Sequence, residues 1–238
     1  MSDAINARRQ VMLVGATGLI GRHIIARTPD LPELNLQGLS RREINFTPGT
    51  RMELVLSDTS GWADAITSLQ PETVLCALGT THSKAGSDEA FRAVDYELVM
   101  EVARAAKQGG TRHFVLVSSV GANLMSRSFY LRTKGEVERD VRSLKFTRLD
   151  ILRPGLLRGF REGETRPVEG LGRLLAPATD IFLRGDRAKY RSIRAGVLAT
   201  AALQAAYEKA GGQFVHEHDS IMRLANRFER EHLPADDE

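Results

Sequence analysis

The chain is poor in the residues that build covalent or metal cross-links. It has a single cysteine, Cys76, in 238 residues. An intramolecular disulfide framework is therefore excluded, and Cys76, in the middle of an apolar run, reads as a small buried hydrophobe. Zinc-type Cys/His spacing is also missing. His216-x-His218 has no evident third ligand, so a surface role is expected there and no metal. No apolar run approaches the roughly 20 residues of a membrane-spanning helix. The first apolar stretch, Val11-Met12-Leu13-Val14, is too short for a signal-peptide core and is broken at once by Gly15. On these grounds the chain is expected to be cytoplasmic, with no membrane partner. Tryptophan is nearly absent too; Trp62 is expected to pack a loop.

Charge of one sign is not in large excess, since 33 Lys and Arg face 30 Asp and Glu. The surplus is local: twelve basic residues against six acids between Lys145 and Arg194. That segment is either a basic rim for an anionic cofactor, substrate or partner, or an ordinary solvated loop surface. It has no dense basic stripe or recognition motif, so no nucleic-acid partner is expected.

What the chain does have is alternation. Short apolar runs are expected as strands at Val11–Val14, Leu34–Leu39, Met52–Leu56, Thr73–Leu78, Phe114–Val117 and Phe146–Leu152, with a last one at Gln213–His216. Helical patterns separate them at Leu19–Arg27, Ala63–Leu69, Asp88–Gln108 and Tyr130–Leu144. In the long Asp88–Gln108 pattern, Asp88 is the expected cap, and Phe91, Val94, Leu98, Val102 and Ala105 are expected to face the sheet. Further helices are expected near Leu171–Leu175, over Ile193–Glu208 and over Ser220–Phe228. The alanines of Ala195–Ala206 pack either on the domain or across a homodimer. The fold class is α/β: a doubly wound parallel sheet of the Rossmann kind. One domain is expected over residues 1–238, with substrate-side elements mainly in 155–192 and 213–230.

The motifs fall at strand ends. Gly15-Ala16-Thr17-Gly18-Leu19-Ile20-Gly21 joins the first strand to the first helix. Gly15 permits the tight turn, Gly18 lets backbone approach a diphosphate, and Gly21 lets the helix pack on the strand. The second strand ends in Ser40-Arg41-Arg42, without the acid that NAD binders place there. A guanidinium pairs with a 2′-phosphate where a carboxylate would repel it. NADPH is therefore the expected cofactor, with Arg41 as main contact, Ser40 as donor and Arg42 against adenine. Ser118-Ser119 ends the fifth strand, and Tyr130-x-x-x-Lys134 puts two side chains on one helix face. A carbonyl receiving hydride needs a proton. A tyrosine beside an ammonium supplies it, and Ser119, or alternatively Ser118, bonds the substrate oxygen. Lys134 also holds ribose hydroxyls.

These residues resemble the short-chain dehydrogenase/reductase superfamily in its extended or atypical branch. Cys76-Ala77-Leu78-Gly79-Thr80-Thr81 with Lys84-Ala85-Gly86, Val94-Asp95, His113-Phe114, Ser118-Ser119-x-Gly121-Ala122, Tyr130-Leu131-x-x-Lys134-Gly135-Glu136-Val137-Glu138 and Arg153-Pro154-Gly155 together resemble the Tat-interacting oxidoreductase family, whose members bind NADPH. The resemblance implies that Asp58 contacts adenine and that Ala77, Leu78 and Gly79 line its ribose. It further implies that Asp95 stands beside the cofactor and that Pro154, Gly155 and Leu156 flank the nicotinamide amide. The implied function is NADPH-dependent reduction of a carbonyl-type small molecule. The alternatives are an NADPH-binding regulatory protein with a protein partner and little turnover, and an isomerase like the sugar-nucleotide epimerases.

Overall fold

A computed structural model describes residues 9–44, 48–158 and 185–232. The expected helix near Leu171–Leu175 lies outside them. The chain runs β1 (Arg9–Val14), α1 (Leu19–Ile25), β2 (Leu34–Ser40), β3 (Glu53–Leu56), α2 (Trp62–Leu69) and β4 (Thr73–Cys76). Next come α3 (His82–Ala85), α4 (Asp88–Arg92), a π turn (Ala93–Leu98), α5 (Val99–Gln108), β5 (His113–Val117) and α6 (Phe129–Ser143). After β6 (Arg148–Leu152) and β7 (Leu157–Arg158) follow β8 (Ile193–Arg194), α7 (Ala195–Tyr207), β9 (Gly212–His216) and α8 (His218–His232).

Seven strands pair in the order β3-β2-β1-β4-β5-β6-β9, and each pair is parallel. β7 and β8 form a separate parallel pair. The main order reverses between β1 and β4, and a crevice at such a point is where open α/β sheets hold ligands. The strands read as continuous apolar runs because both faces are covered. Val11, Leu13, Leu75, Val115 and Leu152 meet α1, α7 and α8 on one face. Met12, Val14, Cys76, Phe114 and Ile151 meet α2, α5 and α6 on the other.

One open alternative is decided and one expectation changes. The alanines of α7 are buried within the chain itself, so that face is not available to a second copy. The Asp88–Gln108 pattern is not one α-helix. Ser87, not Asp88, is its cap, accepting from the Ala90 N–H. The π turn then widens the spiral, and the phase slips. Asp95 and Val99 turn inward where Val94 and Leu98 were expected, and those two are only partly covered.

Candidate active site

Strand register sets the site. Val14 lies opposite Leu39 on one side and Cys76 on the other, Ser40 lies opposite Leu56, and Val117 lies opposite Leu152. Just past those ends stand Gly15, Arg41, Ala77, Ser118 and Arg153, with Asp58 two residues beyond Leu56. The expected strand-end residues therefore share the carboxyl edge of the sheet, and Asp95, Tyr130 and Lys134 come to the site from the π turn and α6.

At the centre, Gly15 takes φ +97° and lies flat against the next strand's exit; a Cβ there would stand 2.7 Å from the Ala77 carbonyl carbon. The Gly18 N–H donates to the Gly15 carbonyl at 3.0 Å. A Cβ on Gly21 would collide with the Gly15 oxygen, so α1 packs as closely as its sequence suggests. Gly18 begins α1 with no side-chain cap, and no acid stands in the first turn. The helix therefore presents bare N–H groups and the positive end of its dipole at the crevice. Thr17 is exposed, Leu19 is half-buried and Ile20 faces the core.

At the tip of β2, the buried Ser40 hydroxyl donates to the Arg42 carbonyl at 2.8 Å. The hydroxyl proton expected for a ligand is thus spent on shaping the turn, which holds Arg41 and Arg42 exposed. Asp58 opens a short 3₁₀ turn and is exposed. Trp62 beside it is buried, and its indole N–H donates to Ser57.

On the other side, Lys134 and Asp95 form a buried ion pair of 2.7 Å. The Thr80 N–H donates to the other Asp95 oxygen at 2.8 Å. Burial alone would lower the Lys134 pKa. The Asp95 carboxylate, with the nearby Tyr130 phenol, outweighs burial and holds the ammonium above its ordinary value. Gly79 lies over the pair; a Cβ there would stand 3.4 Å from the Asp95 oxygen and 3.7 Å from Lys134 Nζ. Tyr130, one turn earlier on α6, is half-buried with its ring 5.4 Å from that of Phe91. Burial pushes the Cys76 thiol up to about 11, so it stays protonated.

The two serines separate. Ser118 is buried and donates to Glu138 at 2.6 Å, and Glu138 is clasped by Arg153 and Arg142. Ser118 is therefore turned into a structural network, away from the crevice. Ser119 stays half-exposed, its hydroxyl on the Val120 carbonyl at 3.3 Å. Glu138 closes the Tyr130–Glu138 motif in the sequence, but nothing in the motif assigns it this role; it stands four residues after Lys134 on the same helix face. Pro154 is buried, and its carbonyl accepts from Val120. Gly155 is pressed against the backbone of Tyr190 and Arg191, and Leu156 is exposed.

His216 was expected at the surface and is instead buried. Its Nε2 lies 2.7 Å from Asp150, its Nδ1 2.8 Å from Ser220. His113 and Arg148 complete the shell around Asp150. His218 pairs with Asp219 at 2.9 Å. Among the described residues, no group of His, Cys, Asp and Glu is arranged to hold a metal ion.

Comparison with known proteins places this arrangement. The HIM1 family model matches residues 46–170. Protein fmp52, mitochondrial, of Aspergillus fumigatus is 39% identical over 209 residues, covering 85% of this chain and 88% of the relative. The Candida albicans protein of the same name is 34% identical over 226 residues, covering 90% and 97%. This chain belongs to the HIM1 family. Among solved structures, MoeE5 in complex with UDP-glucose and NAD aligns at TM-score 0.65 with 18% identity, over 93% of this chain and 81% of that one. UDP-N-acetylglucosamine 4-epimerase from Methanobrevibacter ruminantium aligns at 0.66 with 14% identity, over 94% and 82%. At such identities they establish the fold alone, a Rossmann-like parallel sheet with helices on both faces.

Two expectations are corrected or narrowed. The family matched is HIM1, and none of the relatives reported above carries the Tat-interacting oxidoreductase name. The cytoplasmic location is contradicted by relatives named mitochondrial. A short apolar start and the lack of a spanning run bear on secretion and membrane crossing; they do not address entry into an organelle. Among the described residues, no helix is long and apolar enough to cross a membrane.

Proposed function

We propose that this HIM1-family chain binds a nicotinamide dinucleotide, NADPH in preference to NADH, and reduces a carbonyl-type small molecule. The observation that carries the proposal is the buried Lys134 ammonium, one helical turn from Tyr130 and on the same sheet edge as the uncapped glycine loop. Solved neighbours of the same fold include complexes with NAD, which supports the cofactor class. The residues present suit such a group. The glycine loop packs backbone to backbone against the exit of β4 and ends on free helix N–H groups, and Arg41 and Arg42 stand at the β2 tip without an acid in the turn's place. The names of the relatives support a mitochondrial location.

When bound, the reduced nicotinamide supplies a hydride to an acceptor carbon. The chain's part is to bind, orient and protonate. Ser119 donates a hydrogen bond to the acceptor oxygen, Tyr130 Oη passes its proton to that oxygen, and Lys134 holds the ribose hydroxyls. Ser118 is assigned no part, since its hydroxyl is committed to Glu138.

Tyr130→Phe keeps the ring against Phe91 and removes only the proton. Single-turnover oxidation of NADPH against a panel of aldehydes, ketones and quinones is expected to fall roughly 10²–10⁴-fold, with dinucleotide affinity unchanged. Turnover retained in Tyr130→Phe would remove the tyrosine from the mechanism. A second reading, an isomerase that keeps its nicotinamide, is favoured by the epimerases among the solved neighbours. It predicts interconversion of a sugar nucleotide with no net loss of NADPH absorbance.

A further inference from the structure

Asp95 stands out in the site because it carries a full charge in a position with no exposure at all. It reaches that position through the π turn, which rotates it inward. Once there, it spends one oxygen on Lys134 Nζ at 2.7 Å and the other on the Thr80 N–H at 2.8 Å. The Thr80 bond ties the loop after β4 to the helical run, so the carboxylate cannot swing from Lys134 without breaking it. An asparagine has one acceptor oxygen for these two donors and no charge; a carboxylate meets both and adds the charge.

The groups facing Lys134 can be named element by element. Asp95 comes from the π turn, Tyr130 from Lys134's own helix, and Cys76 from the end of β4. Cys76 stays a neutral thiol, pushed up by burial. The counter-charge to this ammonium is therefore Asp95. A buried ammonium deprived of its counter-ion sheds its proton at lower pH, because burial penalises the charged form.

We propose that Asp95 is a positioning residue that keeps Lys134 charged, and keeps it fixed beneath Gly79 where a dinucleotide ribose would meet it. The proposal rests on the reading that Lys134 serves a dinucleotide site. It assigns Asp95 a task that its neighbours do not share: making the affinity of that site indifferent to pH through the alkaline range. An alkaline compartment would otherwise strip a lone buried lysine of its charge.

The test is a pH series of dinucleotide affinity between pH 6 and 9.5. Calorimetric titration of the full chain with NADPH should give a flat profile for the unsubstituted protein. Asp95→Asn should bind more weakly than the unsubstituted protein at pH 6 and lose a further tenfold or more by pH 9, as Lys134 loses its proton. Asp95→Glu should restore the flat profile. A flat Asp95→Asn profile overturns the proposal, as does a uniform weakening at all pH values, which is the mark of a merely structural residue.

A second measurement needs neither the variants nor the ligand. With lysine labelled at Cε, the Lys134 resonance of the free protein should still report an ammonium at the pH where surface lysines titrate, about 10.4. Titration of Lys134 with or before those lysines overturns the proposal. Should the unsubstituted chain bind no dinucleotide at all, the functional reading fails, and this titration still decides the role of Asp95.

Discussion

Asp150→Ala is expected to cost about 3–5 kcal/mol of stability, the range for removing one member of a buried ion pair. At the enthalpy and entropy of a chain this size, the melting temperature should fall by roughly 10 °C. Asp150 is fully buried, and four donors converge on it. Arg148 grips it with two nitrogens at 2.6 and 2.8 Å, and His113 and His216 approach at 2.8 and 2.7 Å. A carboxylate only accepts, so both histidines turn a protonated Nε2 toward it, and His216 Nδ1 pairs with the Ser220 hydroxyl. These contacts join β5, β6, β9 and the start of α8, which makes the cluster the clasp of the last strand. Truncation leaves a guanidinium and two imidazoles buried without their acceptor.

The pH dependence follows from the direction of the shift. Burial would raise the Asp150 pKa, but the bonds from His113, His216 and Arg148 outweigh it and hold the carboxyl well below the usual carboxylate range. A carboxyl with a depressed native pKa contributes its full stability above its unfolded pKa of about 4, and loses it as pH falls toward the native value. Thermal melts between pH 6 and 2 should therefore show a steeper acid loss for the unsubstituted protein than for Asp150→Asn. Equal slopes, or a melting point in Asp150→Ala within a degree or two of the original, would show that the cluster contributes little.

Arg41→Asp is expected to invert the dinucleotide preference. An exposed guanidinium at the β2 tip offers two parallel N–H bonds to a 2′-phosphate, and a carboxylate in its place repels that phosphate and accepts from a ribose 2′-hydroxyl. Charge-assisted bonds of this kind support a fall in NADPH affinity of about tenfold to a hundredfold, with NADH affinity rising. The turn itself should survive, because the Ser40 hydroxyl that holds it bonds the backbone of Arg42 and not the Arg41 side chain. NADPH affinity unchanged in Arg41→Asp would remove Arg41 from the site.

Much of this architecture can be read from the sequence. A strand in a parallel sheet is a short continuous apolar run, and three glycines at threes between such a run and a helical pattern mark a tight strand-to-helix turn. The six strands from β1 to β6 and the turn at Gly15 follow from local pattern alone. The rest depends on what local pattern cannot carry. The wider turn over Ala93–Leu98 moves Asp95 from a helix flank into the interior, and a 3.6-residue period cannot register it. His113 and His216 lie 37 and 66 residues from Asp150 in the chain. They become its neighbours only once strand order and register are known, so His216 looked like a surface residue beside His218. Ser118 and Ser119 are indistinguishable as a dipeptide. What separates them is the alternation of strand faces and the presence of Glu138 on the following helix. The organelle is not encoded in any of these features.

The central claim is that the crevice between β1 and β4 accepts a phosphorylated nicotinamide dinucleotide. Calorimetric titration of the unsubstituted chain with NADPH and, separately, with NADH tests it most directly. Saturable one-to-one binding of NADPH, at least tenfold tighter than that of NADH, is the expected result. No heat and no thermal stabilisation with either dinucleotide would contradict it.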